Sequence, residues 1–202
     1  MPAVMRSASV PLPIQELTGD AALIERSWTE PERFADVFDR YYSEIHGFVC
    51  RRLGPTLADD VASETFLIAF DRRRRYHLSQ PSARPWLYGI ASNLVSRHRR
   101  AELRRYRALA RAGVTGAVDG GTERVAARLD AEALRGRLAA ALVEIGDRDR
   151  EVLLLVAWAQ LTCEEAAQAV GIPAGTARSR LHRARRRTRV ALGKDYVRED
   201  DR

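Results

Sequence analysis

The stretch TCEEAAQAVGIPAGTARSRLHRARRR, residues 162–187, decides the fold of this chain. It opens on Thr162-Cys-Glu-Glu165, the pattern of a capping box: the threonine oxygen accepts from the backbone three residues on, and the glutamate reaches back. A short apolar helix follows, with Ala166, Ala167 and Val170 facing inward. Gly171 suits the left-handed conformation that ends a helix, and Pro173 prevents that helix from continuing. Thr176 is then the expected cap of a second helix. A tight glycine-containing turn between two short helices is a helix-turn-helix, which presents its second helix to the DNA major groove. At about 100° per residue, Ala177, Leu181, Ala184, Thr188 and Ala191 line one stripe of that helix. Arg178, Ser179, His182, Arg183, Arg186 and Arg189 lie opposite. A solvated surface normally mixes charges of both signs, and this one carries no acid. The planar fork of arginine pairs bidentately with guanine edges and with phosphates.

Composition agrees with a polyanionic partner. The 202 residues leave room for one or two domains, and a hydrophobic content of 46% suffices for real cores. The formal charge is +7 and the isoelectric point about 10.1. A second basic run, from Arg97 to Arg111, sets seven arginines against the single acid Glu102. Several function classes are not expected. Cys50 and Cys163 sit in different segments without a Cys-x-x-Cys pair, so neither a disulfide framework nor a zinc site is indicated. His46 and Cys50 have helical spacing, but two ligands do not make a metal site. There is no phosphate-cradling loop and no placed nucleophile triad, and the Asp59-Asp60 pair is explained by a helix start. The chain therefore reads as neither an enzyme nor a cofactor protein. The longest apolar run, Val152 to Ala159, is too short to span a bilayer, and the N-terminus lacks a signal-peptide core. A cytoplasmic protein without membrane insertion is expected.

Along the chain, residues 1–30 are punctuated by Pro2, Pro11 and Pro13 and sustain no period, so this extension is expected to be poorly ordered, with short helices at most over 12–17 and 21–28. From Phe34 one apolar stripe runs through Val37, Phe38, Tyr41, Ile45, Phe48 and Val49 until Gly54-Pro55 ends it. A second helix, 58–73, is apolar around much of its circumference, and its polar face carries Asp60 and Glu64. Residues 76–85 form a loop. A third helix runs from Pro85 or Trp86 to Ala110, burying Leu87, Ile90, Ala91, Leu94 and His98. Another of its faces aligns Trp86, Asn93, Arg97, Arg100 and Arg104, an aromatic and basic line suited to unpaired bases and phosphates. Four glycines between 113 and 121 mark a flexible linker. Helices over 125–143, 148–160 and 163–170 precede the basic helix. The expected fold is all-α: two small helical domains, 31–111 and 125–193, joined by a flexible linker at 112–124 and followed by a tail at 194–202.

Two segments resemble the sigma factors of bacterial RNA polymerase, specifically the small extracytoplasmic-function group. One is Asp59-Asp-Val-Ala-Ser-Glu-Thr-Phe66 with Arg84-Pro-Trp-Leu-Tyr-Gly-Ile-Ala-Ser-Asn93. The other is Asp149-Arg-Glu-Val-Leu-Leu-Leu155 with Gly175-Thr-Ala-Arg-Ser-Arg-Leu-His-Arg-Ala-Arg185. The resemblance covers about residues 34–192, in the family's order. It implies that Asp60, Glu64, Phe66 and Phe70 bind core polymerase, although Phe66 and Phe70 also fit a packing role. It implies that Tyr76, His77, Arg84, Trp86, Asn93, Arg97 and Arg100 serve the melted minus-ten promoter element, with a flipped base cradled by the loop. Thr176, Arg178, Ser179, His182, Arg183 and Arg186 would read the upstream duplex element. An anti-sigma partner is a further implication. The chain departs from the family at Ser63, where glutamine is common, at Ile145-Gly146 in place of Leu-Pro, and at Gly89 inside the third helix. That glycine costs about 1 kcal/mol relative to alanine. The alternative function is a helix-turn-helix regulator acting without polymerase, although no receiver or ligand-pocket pattern precedes the basic helix.

Overall fold

The computed structural model describes residues 19–112 and 123–192, and for 123–130 the backbone alone. Among the described residues every regular element is helical. The expected segment over 12–17, the glycine-rich linker and the tail lie outside these residues.

The short helix expected over 21–28 is present as α1 (Asp20–Arg26), which buries Ala21 and Ile24. A single 3-10 turn, Pro31–Phe34, leads into α2 (Ala35–Leu53). The stripe Val37, Tyr41, Ile45, Phe48 and Val49 is buried as its periodicity requires. Helix α3 (Pro55–Arg72) starts three residues before the expected Ala58, because Pro55 occupies its first turn, where a missing N–H costs nothing. Asp59 and Asp60 therefore lie one turn in.

The long third helix is two helices, α4 (Arg84–Arg97) and α5 (Arg99–Ala112). His98 leaves helical geometry at φ −95°, ψ 18°, and its carbonyl restarts the chain by accepting from Ala101 and Glu102. The line from Trp86 to Arg104 is thus broken at His98. The reorientation brings Glu102 and Tyr106 of α5 into the core.

Helices α6 (Glu123–Glu144), α7 (Asp147–Ala157), α8 (Cys163–Ala169) and α9 (Ala174–Leu192) complete the chain. The capping box of α8 forms as expected, with Glu165 N–H donating to Thr162 Oγ1 at 3.1 Å and Thr162 N–H to Glu165 Oε2 at 2.8 Å. Gly171 closes the turn at φ 66°. Helix α9 begins two residues before Thr176, because the Pro173 carbonyl already accepts from Thr176 and Ala177. Thr176 therefore sits in the first turn and is not the cap.

The helix-turn-helix packs against the N-terminal helices. Arg52 of α2 is 2% exposed and donates to Glu102 Oε1 at 2.6 Å and to both oxygens of Glu151 on α7 at 2.7 Å. Burial works against its charge, but the two glutamates outweigh it and raise its pKa. Arg150, equally buried, donates to Asp147 and to the carbonyls of Leu142 and Ile145.

Candidate nucleic-acid interface

Three surfaces carry the candidate residues. The first is the outer face of α3. Asp60 is exposed and Glu64 is partly so, and Leu67, three residues further on the same face, is 61% exposed. Beside it α2 presents a ladder of Phe38, Tyr42 and His46, with ring centroids 4.8 and 5.9 Å apart, and His46 pairs with Asp59 at 3.1 Å. Phe66 lies beneath this surface, 4% exposed and edge-on to Phe38 at 5.0 Å. Phe70 packs edge-on against Phe34 at 5.5 Å and carries the Arg73 guanidinium over its ring at 3.9 Å. In this conformation both phenylalanines support the face and do not form it. Sequence reasoning passed over Leu67, although it falls at i+7 from Asp60, and placed Phe38 in the apolar stripe of α2, where the structure leaves it 38% exposed.

The second surface is the loop between α3 and α4 with the start of α4. Tyr76 is buried, its hydroxyl donates to the Gln80 carbonyl at 2.8 Å, and its ring lies 5.1 Å from Trp86. Burial is the main cause of its raised pKa, so the phenol stays protonated. Tyr76, His77, Gln80, Trp86, Ile90 and Asn93 line a cavity of about 290 Å³. Arg84 is turned away from it: its guanidinium donates to Glu44 at 3.0 Å and to the Ala159 carbonyl at 2.9 Å. Arg97 is exposed and reaches Glu64 at 3.2 Å, and Arg100 is exposed. The opposite wall of the cavity is α8, through Gln168 and Ala169.

The third surface is α9. Ala177, Leu181 and Ala184 are buried, which turns Arg178, Ser179, His182, Arg183 and Arg186 outward. Arg178 touches Glu164 at 3.3 Å, and the Ser179 hydroxyl donates to the Gly175 carbonyl at 3.0 Å. Arg183 forms a bidentate pair with Asp149 of α7, both bonds 2.9 Å, and this hydrogen bonding lowers the Asp149 pKa. Among the described residues no group of three metal-ligating side chains converges, and no helix is long and apolar enough to cross a membrane.

The model of sigma-70 region 2 matches residues 37–105, and that of sigma-70 region 4 matches residues 135–188. The RNA polymerase sigma factor CarQ of Myxococcus xanthus is 32% identical over 166 residues, which is 80% of this chain and 90% of the relative. The sigma factor SigW of Bacillus subtilis is 29% identical over 171 residues, covering 81% and 90% of the two chains. The fold is similar to that of CnrH in its complex with the cytosolic domain of CnrY, at a TM-score of 0.62 and 23% identity, covering 88% of this chain and 99% of that one. RpoE of Bartonella quintana, in complex with the anti-sigma factor NepR, gives a TM-score of 0.54 at 21% identity, with 80% and 98% covered. The chain belongs to the extracytoplasmic-function group of the sigma-70 family.

Proposed function

We propose that this chain is the dissociable promoter-specificity subunit of an RNA polymerase, acting in the cytoplasm where that polymerase works. Asp60, Glu64 and Leu67 dock on core polymerase, supported from beneath by Phe66 and Phe70. Arg178, Ser179, His182, Arg183 and Arg186, with Thr176 in the first turn of α9, meet the upstream duplex element. Tyr76, His77, Trp86 and Asn93 hold a base of the opened strand, and Arg97 and Arg100 neutralise its phosphates, joined by Arg84 once it releases Glu44 and the Ala159 carbonyl. No bond is made or broken by the chain: strand opening draws on binding free energy, chiefly base–aromatic stacking and phosphate neutralisation. One observation carries this reading. A single chain exposes an acidic face with an apolar tip on α3 and an acid-free arginine face on α9, matching two family regions in order. An anti-sigma partner of the kind seen with RpoE belongs to the same proposal. In gel filtration the purified chain is expected to co-elute with core polymerase. The double variant D60A/E64A should lose that complex while retaining duplex DNA binding. Undiminished co-elution of the variant would refute the assignment of the α3 face.

A further inference from the structure

The loop that carries Tyr76 and His77 has few hydrogen bonds of its own: Tyr76 N–H to Arg73, Gln80 N–H to His77, the Tyr76 hydroxyl to Gln80, and Arg84 N–H to the Ser82 hydroxyl. It is held from outside at both ends by the segment 19–29, and in the middle at Gln80 by Gln168 of α8. At its far end Asp20 Oδ2 accepts from the Ala83 N–H at 2.7 Å and from the Tyr41 hydroxyl at 2.5 Å, while Oδ1 accepts from Arg40 at 2.5 Å. Gly19 lies directly on the loop: it adopts φ 67°, and a Cβ there would stand 3.3 Å from the Pro81 carbonyl. At the near end Arg73 Nε donates to the Ser27 carbonyl at 3.0 Å, the Trp28 indole donates to the Arg73 carbonyl at 3.3 Å, and Arg74 reaches the Trp28 carbonyl at 3.2 Å.

Asp20 is 2% exposed. Burying a carboxylate is costly unless its lone pairs are filled, and here they are filled from α2 and from the loop. Packing alone would be served as well by an apolar side chain; only an acceptor fixes the Ala83 amide. Between the two clamps lie Tyr76, His77 and Gln80, the loop's contribution to the cavity closed by Trp86 and Asn93.

We propose that the N-terminal segment 19–29 sets the base selectivity of this cavity by fixing the loop, with Asp20 and Trp28 as its positioning residues. The inference rests on the strand-reading role proposed above. Discrimination between bases needs donors and acceptors held within a fraction of an ångström, whereas phosphate attraction tolerates a looser site. Arg97 of α4 and Arg100 of α5 lie beyond the clamp and make no contact with it. Loosening it therefore blurs which base is chosen more than it weakens binding.

The test uses the full chain with core polymerase and a template library randomised in an unpaired block and in an upstream duplex block. Bound templates are sequenced. D20N keeps the shape of the side chain but turns an amide N–H toward one of the donors it should accept from; W28F keeps an aromatic ring but removes the indole N–H with its five-membered ring. In both variants the preference at the most selective unpaired position should fall by about tenfold, the scale of one good base contact. The preference in the duplex block, read in the same tube, should stay at the wild-type level and so reports that α9 is folded. If D20N does not fold, W28F decides alone. Unpaired-block preferences as sharp as wild type in the folded variants would overturn the proposal, as would parallel loss in both blocks. A wild-type chain with no unpaired-block preference would instead overturn the strand-reading role itself.

Discussion

Arg52 holds its charge almost out of reach of water, and its partners Glu102 and Glu151 stand 50 and 99 residues away along the chain. Nothing local in the sequence marks it, because its helix position differs from that of the exposed Arg51 only by one step around the axis. Asp20 escaped notice for the same reason: its acceptor role is defined by Ala83, 63 residues on. The residues that periodicity did place are those whose surroundings lie within their own helix. Arg178, Ser179, His182 and Arg186 point outward because Ala177, Leu181 and Ala184, spaced four and three residues apart along one stripe, take the inward face. Arg178 is held only by an exposed contact with Glu164, so it is free to exchange that partner for a base edge. R178A is expected to weaken binding to the upstream duplex by about 1–3 kcal/mol, the worth of a good bidentate base contact. It should leave binding to core polymerase unchanged, which titration against each partner separately would show.

The helices themselves were legible where local chemistry punctuates them. The capping box starts α8, Gly171 ends it, and Gly54 separates α2 from α3. The break at His98 was not legible, since no proline or glycine stands there; it is imposed by what α5 buries. Helix α9 adds an ion pair to the packing of its buried Ala177, Leu181 and Ala184. Asp149 on α7 grips Arg183, and the hydrogen bond holds its carboxylate below the ordinary range. A depressed folded-state pKa means that the pair stabilises the protein fully above the unfolded carboxylate value and is lost as pH falls through the folded one. Wild type should therefore melt at a higher temperature than D149N near neutral pH. That gap should close as the solution is acidified below about pH 4, followed by circular dichroism. A gap independent of pH would mean that the ion pair is not what ties α9 to α7.

Across the whole molecule, the helix-turn-helix lies on the face of α4 that is proposed to meet the opened strand. Gly89, which looks like a defect in a helix, is explained by this contact: a Cβ there would lie 2.5 Å from the backbone oxygen of Ala169 on α8. Gln80 and Gln168 hydrogen-bond beside it, Arg51 and Arg84 donate to the carbonyls of Trp158 and Ala159, and Arg52 bridges to Glu151. Helix α8 thus forms one wall of the cavity containing Trp86 and Asn93. G89A should strengthen α4 intrinsically, by about 1 kcal/mol, yet drive α8 away. Small-angle X-ray scattering should report a larger radius of gyration for the variant than for wild type; an unchanged radius would show that the close approach does not hold the two parts together.

The most direct measurement is transcription by purified core polymerase on fragmented chromosomal DNA of the source cell, with and without this chain, followed by mapping of the transcript starts. Addition of the chain should create a new set of starts, each preceded by the same two short sequence blocks at one fixed separation, one for α9 and one for the loop and α4. Identical starts in both reactions, or a palindromic footprint of the chain on DNA that needs no polymerase, would contradict the assignment.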